Sequence, residues 1–176
     1  AHHLQSSING STMNHIFPES FSRVPVVVAA VASDNLSGTV TPAISNITLD
    51  GFQLRLQSED EPDRAHGAER VDCIGWEPGT GFVDGTVFEV GYMDQVYEGW
   101  EYYQFTEQFA VAPSFVAVRQ DRVDPLAAGL TFRVLDPFGV EAKLRQIFSE
   151  YEKTSPALGG FIAISTLSDT VDSDGD

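Results

Sequence analysis

Phe17-Pro-Glu19-Ser-Phe21-Ser-Arg-Val-Pro25-Val-Val-Val28-Ala29 returns later in the chain as Phe105-Thr-Glu107-Gln-Phe109-Ala-Val-Ala-Pro113-Ser-Phe-Val116-Ala117. Phe105, Pro113 and Val116 each stand 88 residues after Phe17, Pro25 and Val28, and 88 is half of the 176-residue chain. A proline that opens a β-branched run marks the first residue of a strand, where its missing N–H costs no ladder hydrogen bond. The chain therefore reads as two copies of one unit, residues 1–88 and 89–168, followed by an acidic tail at 169–176. Units this short bury a limited core, so they are expected to pack against each other or against a partner.

Outward from that signature, the first copy reads as strands joined by turns. Residues 1–16 are polar and predict one weak strand. Val26–Ala32 is a continuous apolar run of strand length. Ser33–Gly38 carries turn residues, and Thr39–Leu49 reads as a strand with Pro42 at an edge or bulge. Asp50-Gly51 is a two-residue hairpin signal. Phe52, Leu54 and Leu56 then alternate with Gln53, Arg55 and Gln57, the period of a half-buried strand. Ser58–Gly67 is a charged loop, Val71–Trp76 a further strand, and Glu77–Gly81 closes the unit. In the second copy, Val87–Val90, Trp100–Phe105, Ser114–Arg119, Leu130–Leu135 and Phe161–Ser165 are the expected strands, with Asp136–Gly139 as a turn. One segment conflicts. Val140–Lys153 places Leu144, Ile147, Phe148 and Tyr151 at helical spacing. Its counterpart alternates as a strand, and the repeat is expected to override local propensity. Short strands with turn signals at about ten-residue spacing predict an all-β chain of two tandem antiparallel β-sandwich units.

The formal net charge is −16. Residues 1–88 carry 11 acidic and 4 basic side chains, and residues 89–176 carry 15 and 6, so the acidity belongs to the whole surface. Such a surface repels nucleic acid and anionic lipid, and suits cation binding or solubility at high salt. The lone Cys73 permits no internal disulfide, and its apolar surroundings mark a small buried hydrophobe. No apolar stretch is long enough to span a membrane as a helix.

Three blocks carry a family resemblance: Phe21…Pro25-Val-Val-Val28, Gly51-Phe52-Gln-Leu54, and Ile74-Gly-Trp76-Glu77. Phe109…Pro113, Phe138-Gly139-Val140 and Phe161-Ile-Ala-Ile164 are the second set. Together they resemble the H-type lectin domain, over nearly all of both copies. The resemblance implies a six-stranded antiparallel sandwich per unit, assembly into trimers, and N-acetylgalactosamine-type sugars bound between subunits. It also implies sugar contacts late in the Gly-Phe strand, where that family has an adjacent aromatic and histidine. The matching positions are Glu59 and Asp60 in the first copy, and Ile147 and Phe148 in the second. Neither pair keeps the family's residues.

Tyr92, Tyr97, Trp100, Tyr102 and Tyr103 are absent from the first copy at the matching positions. Aromatic rings stack on sugars, form interface anchors or fill cores, so Tyr97, Trp100 and Tyr102 join Glu59 and Asp60 as candidate ligand contacts. Asp172, Asp174 and Asp176 surround a Gly in the manner of an Asp-rich calcium loop. A solvated acidic tail is the competing reading. Asn9, Asn35 and Asn46 lie in glycosylation acceptor patterns. No nucleophile elbow, zinc-protease helix, phosphate loop or dinucleotide fingerprint is present, and no enzymatic activity is expected. The expectation is an extracellular or cell-surface, non-catalytic carbohydrate-binding or adhesion module with glycans or further copies of itself as partners. It has no nucleic-acid partner, does not insert into membranes, and has calcium as its one candidate cofactor. The alternative is a structural subunit of a filament or surface layer that assembles through strand edges.

Overall fold

The computed structural model describes residues 1–35, 40–58, 68–121, 128–146 and 156–166. Among the described residues the chain is all-β and antiparallel, with no helix. The first strands are β1 (His2–Ile8), β2 (Met13–Ile16), β3 (Val26–Val31), β4 (Val40–Ser45), β5 (Gly51–Ser58) and β6 (Glu69–Trp76). They form two three-stranded sheets, ordered β1-β6-β3 and β2-β5-β4. The later strands are β7 (Gly79–Val83), β8 (Thr86–Val96), β9 (Glu101–Gln104), β10 (Ser114–Arg119), β11 (Ala128–Asp136), β12 (Gly139–Gln146) and β13 (Ala157–Thr166). They form the sheets β10-β13-β8-β7 and β11-β12-β9.

The 88-residue displacement recurs in the hydrogen-bonded ladders. Asn14 faces Gln53, and Tyr102 faces Glu141. Val26 faces Trp76, and Ser114 faces Ile164. Ser45 faces Gln53, and Arg133 faces Glu141. The loops repeat as well. Phe17 N–H donates to Asp50 C=O and Phe21 N–H to Leu49 C=O; Phe105 and Phe109 donate in the same way to Phe138 and Pro137. The ladder between β8 and β13 departs by one residue, through a bulge next to Gln95, whose φ is 56°. A bulge inserts one unpaired residue and sharpens the local twist.

The signature phenylalanines explain why the repeated sequence makes this fold. Phe17 and Phe21 meet edge to face at 4.8 Å, and Phe105 and Phe109 do so at 5.3 Å. Each pair plugs the gap between its two sheets. In the first set the core is completed by Ile8, Val27, Ile44, Phe52, Leu54, Leu56, Val71 and Cys73. In the second it holds Met93, Val96, Val140, Ala142, Leu144, Phe161 and Ala163. Alternation along β5 and β12 puts Leu54 and Ala142, and Leu56 and Leu144, on these inner faces. The apolar spacing of residues 140–146 is therefore that of a strand, as the repeat demands. Residues 147–155, where the helical pattern continues, lie outside the described residues.

Four expectations need correction. The N-terminal segment is two strands, β1 and β2, one in each sheet. The strand expected over Thr39–Leu49 stops at Ser45, because Asn46 takes a left-handed φ of 49°. Asp50-Gly51 is not a two-residue hairpin. Gly51 instead faces Ile16 on β2, where a Cβ would stand 2.1 Å from the His15 carbonyl oxygen. The two-residue hairpin with an Asp-Gly turn is Asp84-Gly85, both at positive φ as that turn requires. Glu77–Gly81, read as the segment that closes the unit, consequently runs into strand β7, Gly79–Val83. That strand covers the edge of β8, so the hairpin straddles position 88.

The two sets meet sheet to sheet. Val26 and Val28, on the outer face of β3, bury against Val90 and Ile162. Trp76 packs on Phe88 at 4.8 Å. Val27 points the other way into the first core, so β3 is buried on both faces and needs its unbroken valine run. Gln120 locks the contact: its Nε2 donates to Val27 C=O at 2.7 Å, and its Oε1 accepts from Val27 N–H at 2.8 Å.

Candidate binding face

The outer face of the β11-β12-β9 sheet gathers Trp100, Tyr102, Arg133 and Glu141, whose first-set counterparts are the uncharged, non-aromatic Thr12, Asn14, Ser45 and Gln53, together with Lys143. Strand alternation decides which residues these are. Tyr103 packs against the core and hydrogen-bonds to Glu101. Tyr102 faces outward, 47% exposed, and covers Gly139. Its hydroxyl donates to Asp136 Oδ1 at 2.8 Å, and the same oxygen accepts the Phe138 and Gly139 N–H groups. These donors, the Phe138 N–H first, hold the Asp136 carboxyl below the usual range. Desolvation, then the hydrogen bond to Asp136, then the Asp136 charge hold the Tyr102 phenol above its own. The turn is thus a fixed acceptor at neutral pH with an aromatic ring beside it.

Trp100 shares that outer face, but it is not a free platform. The Arg133 guanidinium lies 4.4 Å from the ring centroid, and the Lys143 ammonium lies 4.7 Å from it. Arg133 is also paired with Glu141 across the β11–β12 ladder. The ring face attracts cations through its quadrupole.

The same place in the first set carries carboxamides. Gln53 Nε2 donates to Asn14 Oδ1 at 3.0 Å, and Asn46 Nδ2 donates to Gln53 Oε1 at 2.6 Å. Together with Ile16, Thr48 and Asp50 they line a shallow depression of about 240 Å³. Its residues correspond, 88 positions on, to Tyr102, Gln104, Val134, Asp136, Phe138 and Glu141. A second cleft, of about 350 Å³, lies at the seam between the sets, near Arg23, Thr80, Tyr92 and Gln104. Its one buried ionisable group, Glu89, is already accepting the Thr106 and Glu107 N–H groups.

Of the residues expected to bind ligand, Trp100 and Tyr102 share one face. Tyr97 is exposed beyond the end of β8, with its hydroxyl on Gln95. Tyr92 lies at the seam and donates to Val24 C=O. Glu59, Asp60, Asp172, Asp174 and Asp176 lie outside the described residues. Among the described residues there is no group of three or more His, Cys, Asp or Glu side chains placed to hold a metal. Asn9, Asn35 and Asn46 are all exposed, though the Asn35 carboxamide donates to Ser33 Oγ and to Ala68 C=O. Cys73 is buried, and burial followed by the nearby Asp72 charge pushes its thiol up to about 12. Sequence reasoning missed Arg133, Lys143, Asp136 and Glu141. The readable signal was the alternation Glu141, Lys143, Arg145 with Val140, Ala142 and Leu144, which puts three charges on one strand face.

Comparison of the chain with protein-family models, with curated proteins and with solved structures gives no match.

Proposed function

We propose that this chain is an extracellular, non-catalytic carbohydrate-binding or adhesion module built from two tandem H-type lectin-like sandwiches, 1–88 and 89–168. The matching ladder registers and paired phenylalanines support the tandem reading. One observation carries the binding reading: both sets present a shallow polar face at the same place, Asn14–Gln53–Asn46 in one and Tyr102–Asp136 in the other. Carboxamides fixed by their neighbours offer hydrogen bonds of defined direction to hydroxyl groups, and an exposed phenol ring offers an apolar flank. The test is a glycan array followed by calorimetry on any hit. Gln53→Ala or Tyr102→Ala is expected to weaken binding at its own face. A chain that binds no glycan across the array overturns the reading.

A structural subunit that assembles through strand edges is the second reading, and one observation favours it. The edge of β8 is covered by β7, whereas β1, the counterpart of β8, is an edge strand of its sheet among the described residues. An open edge offers its N–H and C=O groups to another chain. Electron microscopy with calcium and then with chelator tests it: ordered fibres support assembly, with fraying on chelation marking it as calcium-dependent, and discrete particles in both conditions exclude it.

A further inference from the structure

We infer that the outer face of the β11-β12-β9 sheet binds an anionic polysaccharide, through Arg133 and Lys143 over Trp100 and Arg145 beyond Lys143 on the same face of β12. The inference rests on the carbohydrate-binding reading and specifies its ligand class.

The chain has ten Lys and Arg residues against 26 Asp and Glu, yet three of the ten occupy this one sheet face. Lys143 and Arg145 are two apart on β12, so they project on the same side, as Glu141 does. Glu141 is taken by Arg133. Among the described residues Lys143 and Arg145 have no ion-pair partner, although carboxylates outnumber cations across the chain. Two neighbouring cations that no described carboxylate neutralises, on an otherwise acidic surface, suit an anion from outside.

Trp100 explains how they are held and what they bind. Arg133 and Lys143 both sit over its ring, so like charges that would repel share an electron-rich surface. Occupied in this way, the ring cannot serve as a stacking platform for a neutral sugar. What the face offers is two cations along β12 and a third, Arg133, on the neighbouring β11, with the exposed Tyr102 ring nearby. That arrangement fits an extended chain with regularly spaced carboxylate or sulfate groups. The net charge of −16 opposes such a ligand at long range. At physiological ionic strength the screening length is about 8 Å, so remote carboxylates are damped while direct contacts persist. The first-set counterparts of Trp100, Arg133 and Arg145 are Thr12, Ser45 and Gln57, and that of Lys143 is Arg55, so the first set keeps one cation there without the ring or its neighbours, and the inference assigns the site to the second set.

The test is calorimetric titration of the full chain at about 50 mM salt with three probes: polygalacturonate, neutral dextran and poly-glutamate. Polygalacturonate is expected to bind, and Lys143→Gln with Arg145→Gln is expected to weaken it roughly five- to tenfold. Arg70→Gln, which removes an exposed cation already beside Asp72 on the β1-β6-β3 sheet, is expected to leave binding unchanged. Binding is also expected to weaken as salt is raised. Binding of neutral glycans with no preference for polygalacturonate overturns this inference and leaves the carbohydrate reading intact. Equal binding of poly-glutamate overturns the assignment to a glycan. A loss equally large in Arg70→Gln overturns the assignment to this face. No binding of any saccharide overturns both readings.

Discussion

Val134 holds a backbone conformation that its side chain opposes. Its φ is 48°, in the left-handed region, where a β-branched residue meets its own backbone. Asn46, its counterpart 88 residues earlier, has φ 49°, and asparagine tolerates that region well. Val134 is 58% exposed, so little packing is lost on replacing it. Val134 is the extra residue of a bulge in the β11–β12 ladder, between Arg133 and Leu135. Val134→Asn is expected to stabilise the chain by about 1 kcal/mol in urea denaturation; an unchanged or lowered midpoint would show that this bulge derives its geometry from the valine. His15 gives a second prediction at this scale. Its ring stacks on Phe52, Nδ1 lies 3.2 Å from Ser6 Oγ, and Nε2 is buried with no hydrogen-bond partner. Burial lowers its pKa below the ordinary 6.5. The unfolded chain therefore takes up that proton first. The folded state keeps its full stability above about pH 6.5 and loses it as pH falls through that value. Thermal midpoints measured at about pH 7.5 and about pH 5.5 are expected to differ more in the wild type than in His15→Gln. An equal drop in both would assign the sensitivity to other groups.

At the scale of strands, the glycines of the paired hairpins decide how closely neighbours approach. A Cβ on Gly51 would stand 2.1 Å from His15 carbonyl oxygen, and one on Gly139 would stand 2.4 Å from Tyr103 carbonyl oxygen. Both obstacles are backbone, which yields only if β2 or β9 separates from its neighbour. Gly51→Ala and Gly139→Ala are each expected to cost about 3 kcal/mol. Gly99→Ala, whose added carbon would meet nothing within 4 Å, is expected to stay within about 0.5 kcal/mol. A neutral Gly51→Ala would mean that β2 pairs with β5 less tightly than described. The same residues show what was readable in the sequence. The Phe-x-Glu-x-Phe-x3-Pro signature exposed the fold because its phenylalanines and proline are buried in both copies. Repeat register also corrected local propensity over β12. Asp50-Gly51 misled because an Asp-Gly pair serves two purposes: positive φ in a turn, as at Asp84-Gly85, and absence of a Cβ beside a neighbouring strand, as at Gly51. Local sequence does not distinguish them. The site was legible only in part. Trp100 and Tyr102 stood out as aromatics without counterparts, but Arg133 reaches Trp100 from another strand, and no linear pattern announces that meeting.

At the scale of the whole molecule, the two strand sets are held by a small apolar seam and one side chain that acts as a piece of backbone. Val26, Val28, Val90 and Ile162 supply buried area, while the exposed counterparts Ser114, Val116 and Ile74 show the face that remains when no partner set lies against it. Gln120 supplies direction. Its carboxamide satisfies both polar groups of Val27 on an edge strand, as a neighbouring strand would, and it is 4% exposed. Ala32 is its counterpart in the first set, so the lock exists once and fixes which faces meet. Removing it leaves a buried N–H and a buried C=O unpaired, each costing about 1–3 kcal/mol, so Gln120→Ala is expected to lose about 2–5 kcal/mol. The two tryptophans allow the loss to be located. Trp76 reports on the seam and Trp100 on the far face of the second set. With Trp76 or Trp100 alone left in place, their urea transitions are expected to coincide in the parent chain and to separate in Gln120→Ala, Trp76 responding first. Coincident transitions with a lowered midpoint would place the lost energy within one cooperative core. Coincident transitions at an unchanged midpoint would mean that the apolar seam alone joins the sets.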